Sequence, residues 1–170
     1  AKNMGENIAD PFQSFRVHFE SADREILTQE EINTIYRKEF VSDRLSQIRD
    51  IFIFAFYTGL SYIDVSNLKD ENIQTAFDGN LWIMTKRQKT NVNSNIRLLD
   101  IPKKILEKYL GRQKNRKCLP VISNQKMNGF LKEIAIICNI NKKLTFHCGI
   151  HMSSCYFMKT RLLCNYFSDR

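Results

Sequence analysis

The chain has 170 residues, of which 43% are hydrophobic and 26% charged. These fractions are typical of one soluble globular domain large enough to bury a core, and no apolar run approaches the about 18 residues that a membrane-spanning helix needs. The formal net charge of +8 favours a polyanionic partner. The five cysteines form no CxxC pair, which argues against a disulfide framework and against a zinc site.

The first part of the chain predicts three helices after a polar start. Residues 1–24 show little periodicity and are typical of a linker that follows another domain. The sequence Thr28-Gln29-Glu30-Glu31 has the spacing of a capping box, which predicts a helix from there. The side chain of Ser42 is expected to cap a second helix that ends at Gly59, and residues 61–68 are expected to form a short third helix.

The second part of the chain predicts a hairpin followed by two helices. Residues 81–85 and 95–99 are two short apolar segments around a polar, basic loop, which is typical of a β-hairpin. Ile101-Pro102 predicts the start of a fourth helix, because proline suits a first helical turn. Ser123-Asn124 is expected to cap a fifth helix that ends near Cys138. The predicted fold is mainly α with a small antiparallel β-sheet, an α+β class in one domain.

Positive charge is concentrated between residues 103 and 126. This stretch contains eight lysines and arginines against one acid, Glu107. A solvated basic surface is the simpler interpretation for any single lysine. A cluster this one-sided nevertheless favours a polyanion such as a nucleic acid as the partner.

Three local patterns follow one another along the chain. The first is YTGLSYIDVSNL over residues 57–68, and the second is WIMTKRQKT over residues 82–90, with IRLL at 96–99. The third is LTFH over residues 144–147, followed by Ile150-His151. In this order they resemble the catalytic domain of tyrosine recombinases, which are DNA breaking-rejoining enzymes, and in particular integrases of mobile elements in Bacteroides-like bacteria. The resemblance covers most of residues 10–147.

The resemblance implies strand exchange through a phosphotyrosine bond. In the family, a tyrosine hydroxyl attacks a DNA phosphodiester, two arginines bind its non-bridging oxygens, and a hairpin lysine acts as the acid, so that no metal or other cofactor is needed. The matching positions are Lys89 for the lysine, His147 for the histidine before the second arginine, and His151 for the residue after it. An exposed hairpin lysine and a buried core histidine are the structural alternatives. The residues expected to contact DNA are Lys86, Arg87, Arg97, Lys103, Lys104, Arg112, Lys114, Arg116, Lys117, Lys142 and Lys143.

The sequence departs from the family pattern at the residues that matter most for chemistry. Ser61 stands where the first arginine is expected, and Ile150 stands where the second is expected. An apolar side chain cannot bind a phosphate. The remaining tyrosines after His147 are Tyr156 and Tyr166, and neither lies in a context that matches the family's nucleophile. We therefore expect this chain to be inactive in strand exchange.

The resemblance ends abruptly after His147. The residues Cys148-Gly149-Ile150-His151-Met152 can be encoded by TGC GGC ATA CAT ATG, and reading from the third base gives Arg-His-Thr-Tyr, which is what the family shows. We therefore expect a frameshift in the gene and an aberrant tail. The apolar residues expected to serve as core filler in that tail are Phe157, Leu162, Leu163 and Phe167.

The expected organisation is a linker over residues 1–24, from a missing N-terminal DNA-binding domain, and a recombinase catalytic domain over 25–170 that is aberrant after about residue 147. The expected partners are double-stranded DNA and, in the intact family, other recombinase protomers on DNA. We expect no membrane association, a monomer in isolation, and a bacterial cytoplasmic, nucleoid-associated location. Two alternatives stay open: a non-catalytic DNA-binding module of a mobile element, and a basic scaffold protein without a nucleic-acid role.

Overall fold

Residues 27–89 and 91–148 are described by a computed structural model of the chain. The predicted linker, His151 and the predicted tail lie outside these residues. Within them the chain forms the α-helices α1 (Gln29–Arg37), α2 (Asp43–Thr58), α3 (Tyr62–Asn67), α4 (Asp100–Tyr109) and α5 (Asn124–Ile137). The strands are β1 (Ile73–Thr75), β2 (Leu81–Lys86) and β3 (Asn93–Arg97), and short 3₁₀ turns occupy Asp70–Asn72 and Lys114–Arg116. The predicted α+β class is confirmed.

The helix ends follow the local sequence signals in part. The capping box at α1 is confirmed, since the Thr28 hydroxyl accepts the Glu31 amide at 3.2 Å and Glu31 accepts the Thr28 amide at 2.6 Å. Gly59 ends α2 in the left-handed conformation, with φ 65°. Ser42 and Ser123 are the N-cap residues of α2 and α5, as predicted, but neither hydroxyl bonds to its helix. Both serines are exposed, so water can satisfy the first amides of α2 and α5.

Helix α2 is the centre of the hydrophobic core. Every residue from 50 to 58 is buried, and the helix contacts α1, α4 and α5. A helix that is apolar on all sides is stable only when neighbours cover it, as they do here. No helix in residues 27–89 and 91–148 is both long and apolar enough to cross a membrane.

One charged group lies inside this core and joins α2 to α4. Asp50 is 3% exposed and accepts hydrogen bonds from Arg49 Nε at 3.0 Å, Lys108 Nζ at 2.7 Å and Tyr109 Oη at 2.7 Å. Burial, together with the bond to Asp50, raises the pKa of Tyr109 far above its usual range. A buried carboxylate is tolerated because its oxygens are satisfied by donors.

The sheet is antiparallel, in the order β1-β2-β3. The predicted hairpin is confirmed as β2 and β3, with Ile83 opposite Ile96 and Lys86 opposite Asn93. Strand β3 begins two residues earlier than the sequence indicated, and β1 was not predicted at all. Ile83 is fully buried, and the sheet packs one face on the core around it.

Candidate functional site

The turn between α2 and α3 forms the base of the site. Ser61 is the N-cap of α3: its hydroxyl accepts the Asp64 amide at 3.3 Å and donates to the Asp64 carboxylate at 2.7 Å. Asp64 is only 8% exposed, so its second carboxylate oxygen also needs a donor.

The β2–β3 hairpin supplies that donor and is thereby held against α3. The backbone amide of Gln88 donates to Asp64 at 3.1 Å, and Asn67 donates to the Gln88 side chain at 3.1 Å. The guanidinium of Arg87 reaches across to the carbonyl oxygen of Gly59 at 3.5 Å. The loop is thus joined to the α2–α3 turn through Arg87 and to α3 through Gln88.

Lys89 lies in the turn of this hairpin, where the sequence predicted it, and its side chain is exposed. The loop is closed by bonds from the Arg87 amide to the Val92 carbonyl at 2.9 Å and from the Asn91 amide to the Arg87 carbonyl at 2.8 Å. Asn91 has φ 57°, a conformation that asparagine adopts more readily than most residues. Lys89 therefore follows directly after the residue that bonds to Asp64.

His147 is brought to the same region by contacts of its neighbour Phe146. The Phe146 ring is buried and stands edge-on to Tyr62 of α3, with ring centroids 5.6 Å apart. The Phe146 amide donates to the Asn128 side chain at 2.8 Å, at the start of a helical turn over residues 146–148. His147 itself is exposed, so the alternative of a buried core histidine is wrong.

The short helix α3 therefore contacts all three sequence patterns. Ser61, in the first pattern, is its N-cap. Asp64 bonds to the hairpin of the second pattern, and Tyr62 packs on Phe146 of the third. Between α3 and the hairpin lies an open cleft of about 390 Å³. The residues that line it are Asp64, Asn67, Thr85, Lys86, Arg87, Gln88 and Asn91. In this lining two cations, Lys86 and Arg87, outnumber one carboxylate, that of Asp64, which favours an anionic ligand.

No family model and no curated protein matches the sequence. Among solved structures, a λ integrase dimer bound to a COC′ core site is similar with TM-score 0.65 and 19% identity, over 86% of this chain and 54% of that chain. The λ integrase catalytic core is similar with TM-score 0.61 and 20% identity, over 81% of this chain and 88% of that one. A XerH site-specific recombinase bound to difH substrate is similar with TM-score 0.64 and 14% identity, over 80% of this chain and 44% of that one.

The fold is that of a tyrosine recombinase catalytic domain. The chain spans about half of the XerH chain and of the DNA-bound λ integrase chain, and most of the λ catalytic core. Within this recombinase fold, Asp64 and Asn67 of α3 bond to the hairpin, and Tyr62 of α3 packs on Phe146. That the Lys89 and His147 side chains face one groove stays a prediction.

The other predicted DNA contacts are distributed over the recombinase fold. Lys86, Arg87, Arg97, Lys103, Lys104, Arg112, Arg116 and Lys143 are exposed, and Lys117 is half-buried. Lys142 is paired with Glu31 at 2.7 Å. Burial opposes ionisation of Glu31, but the hydrogen bonds from Lys142 and Thr28 outweigh it and lower its pKa. Lys142 is thus bound to α1. The DNA-binding roles of all these cations and of Lys114, and the catalytic roles of Lys89, His147 and His151, stay predictions.

Sequence reasoning missed the residues that position the site. Asp64, Gln88 and Asn128 hold the hairpin and the His147 turn, and none was predicted to have a role. Only Asp64 had a local signal, since Ser61 and Asp64 have the spacing of a helix cap. The partners of Gln88 and Asn128 are 24 and 18 residues away in sequence, where local patterns give no information.

Proposed function

We propose that this chain is the DNA-binding core of a site-specific tyrosine recombinase of a mobile genetic element, and that it cannot carry out strand exchange as it stands. The observation that carries the proposal is that one short helix, α3, contacts both segments in a recombinase fold: its Asp64 bonds to the Lys89 hairpin, and its Tyr62 packs on Phe146, next to His147. In this geometry, Lys89 serves as the acid for a leaving oxygen and His147 as a donor to the same phosphate.

The proposed partner is double-stranded DNA, with other copies of the recombinase assembled on it. Similar structures include a XerH recombinase on its difH substrate and a λ integrase tetramer on a Holliday junction. The net charge of +8 and the exposed cations of the hairpin and α4 are suited to DNA phosphates. In isolation we propose a monomer, in a bacterial cytoplasm, with residues 1–24 as the linker from an N-terminal DNA-binding domain.

Duplex binding tests the partner. Fluorescence anisotropy with a labelled duplex should show affinity that falls by orders of magnitude between about 50 and 200 mM salt, because bound phosphates release counterions. A scaffold protein without a nucleic-acid role would show no binding, or binding that salt does not change. The second candidate, a non-catalytic DNA-binding module, makes the same prediction here and also forms no adduct. The coding DNA separates the two, because a recombinase-like continuation in another frame is expected only for the first.

A covalent-adduct assay tests the proposed loss of chemistry. Ser61 and Ile150 stand at the two positions where the resemblance implies phosphate-binding arginines, and neither Tyr156 nor Tyr166 lies in the context of the family's nucleophile. We therefore expect no phosphotyrosine adduct with suicide DNA substrates. These losses act on one transition state, so a partial complement of groups gives little rate. An adduct at Tyr156 or Tyr166 would overturn the proposal of inactivity and leave DNA binding intact.

The proposed frameshift has a separate test. Sequencing the coding DNA around His147 should show that a neighbouring frame encodes Arg-His-Thr-Tyr and a longer recombinase-like continuation. If the codons for residues 148–152 give no such sequence in any frame, then amino-acid substitutions and not a frameshift account for the departure from the family pattern after His147.

A further inference from the structure

The outer face of the β-sheet carries Trp82, the only tryptophan of the chain. Ile83, the next residue of β2, is fully buried and faces the core. Side chains alternate along a strand, so Trp82 and its cross-strand neighbours, Gln74 and Arg97, lie on the opposite face. Residues directly opposite each other on one face have Cβ atoms about 5 Å apart, so Arg97 stands beside Trp82.

The indole of Trp82 is held in one orientation by the turn between β1 and β2. The Asp78 carboxylate accepts the indole N–H at 3.1 Å and the Asn80 amide at 3.0 Å. Hydrogen bonds from Asn80 lower the pKa of Asp78, and the positive charge of Arg97 contributes, so Arg97 lies near the same turn. Because the indole is satisfied and positioned in advance, little side-chain freedom is lost when a ligand stacks on its ring.

A second aromatic ring lies at the same turn. Phe77 directly precedes Asp78 and is 104% exposed, while Trp82 is half-buried. In residues 27–89 and 91–148 no other aromatic ring packs on the indole, and no cation lies over its face. One exposed ring is common on protein surfaces. Two rings beside an arginine are typical of single-stranded nucleic-acid sites, in which bases stack on aromatic side chains and cations bind the backbone.

The charges of this face also favour a nucleic-acid strand. Arg97 is exposed, and so is Lys86, which lies four residues after Trp82 on the same face of β2. These two cations outnumber the one carboxylate of the turn, that of Asp78. Every base has a face on which a ring can stack, but in a duplex the neighbouring base pairs cover it. The two rings therefore favour bases that are unpaired.

We propose that Trp82, Phe77 and Arg97 form a binding site for single-stranded DNA, in which unpaired bases stack on the two rings and Arg97 binds a phosphate. The site lies at the opposite end of β2 from the hairpin loop that contains Lys89. The inference goes beyond the proposed function, which concerns duplex DNA at that hairpin and at α4.

Fluorescence of the full chain tests this directly, because Trp82 is its only tryptophan. The chain is titrated at one fixed low salt concentration with an oligothymidine of about 12 nucleotides, within the range that single-strand sites cover. The Trp82 emission should be quenched to a saturating level, since a stacked base quenches an indole. An abasic strand and a duplex, each at the same phosphate concentration, are the controls and should quench much less.

Two ring variants test the site through the anisotropy of a labelled oligothymidine. Trp82→Ala and Phe77→Ala should each weaken binding about fivefold or more, because each removes a stacking surface. Phe77→Ala removes a fully exposed side chain, so it tests the site even if Trp82→Ala does not fold. Val41→Ala shortens an equally exposed apolar side chain between α1 and α2, and as the control it should leave the affinity unchanged. Trp82→Phe keeps a ring and should retain most of the affinity.

The outcomes separate the inference from the proposed function. Equal quenching by the duplex, or binding of the oligothymidine without quenching, would overturn the inference. So would unchanged affinity in both ring variants, which is the result expected if this face contacts a protein instead. Duplex anisotropy tests the proposed function separately, and Phe77→Ala should not change it. If the duplex does not bind but the oligothymidine quenches Trp82, the proposed function fails and the inference holds.

Discussion

Replacing Asp64 by alanine should release the β2–β3 hairpin from α3. The carboxylate accepts the Ser61 hydroxyl at 2.7 Å and the Gln88 amide at 3.1 Å, and it is 8% exposed. Each hydrogen bond to a charged group contributes about 1.5–3 kcal/mol, but the exposed hairpin can exchange its bond for one to water. We therefore expect the hairpin contact to lose about 2 kcal/mol, near the low end of that range.

Limited proteolysis measures this loss directly, because trypsin cleaves after Arg87 and Lys89 in the loop. When opening is fast compared with cleavage, the rate follows the population of the open hairpin. Since 1.4 kcal/mol is a factor of ten, Asp64→Ala should speed cleavage in the loop about 30-fold. Asp64→Asn keeps one acceptor oxygen and should have a smaller effect.

The control is Asp78→Ala, which removes an exposed carboxylate from the opposite turn of the sheet, where it accepts the Trp82 indole. It should leave cleavage after Arg87 and Lys89 unchanged. If Asp64→Ala also leaves loop cleavage unchanged, at equal global stability in urea, then Asp64 does not hold the hairpin and the geometry of the site is wrong.

Three further predictions concern stability and reactivity. Asp50→Ala should lower the free energy of unfolding in urea by about 3 kcal/mol, because the buried Tyr109 hydroxyl loses its acceptor. The control Lys69→Ala breaks only an exposed ion pair and should change the same free energy by less than about 1 kcal/mol. Equal effects of the two substitutions would contradict this prediction. Because the pKa of Glu31 is lowered by folding, its carboxylate contributes stability above its unfolded pKa, and this stability is lost as pH falls through the folded pKa. Glu31→Gln should therefore make the urea midpoint depend less on pH between about pH 5 and 3. Lys142→Met, which removes the partner of Glu31, should have the same effect. Burial and the neighbouring Asp70 raise the pKa of the Cys118 thiol to about 12. Iodoacetamide at pH 8 should therefore label Cys118 only after denaturation. Rapid labelling of the native protein, measured by mass spectrometry, would refute the burial of Cys118.

The helices could be predicted from the sequence because their signals are local. Gly59 and the capping box at Thr28 determine helix ends within a few residues of themselves, and the apolar spacing of α2 is continuous. Strand β1 could not be predicted, since it has three residues and only Ile73 is even half-buried. The start of β3 is set by the loop bond between Arg87 and Val92, and no apolar alternation marks it.

The site could be predicted only where a residue pattern matched a known family. Lys89 and His147 became candidates in that way, whereas the bonds that position their segments could not be predicted. The Asp64–Gln88 bond, the Asn128–Phe146 bond and the Lys142–Glu31 pair join residues that are 18 to 111 positions apart in sequence. Such pairs depend on tertiary packing, which neither helical periodicity nor motif spacing specifies.

Ser61 stands where the family resemblance implies an arginine, and as the N-cap of α3 it bonds to the buried Asp64 carboxylate. A buried carboxylate that loses a cationic neighbour is ordinarily a cost of several kcal/mol. Here Asp64 keeps two donors, the Ser61 hydroxyl and the Gln88 amide, and shares its cleft with Lys86 and Arg87. Ser61 and Gln88 are therefore parts of one arrangement, in which the helix cap and the hairpin each provide one of the two bonds that the buried Asp64 carboxylate needs.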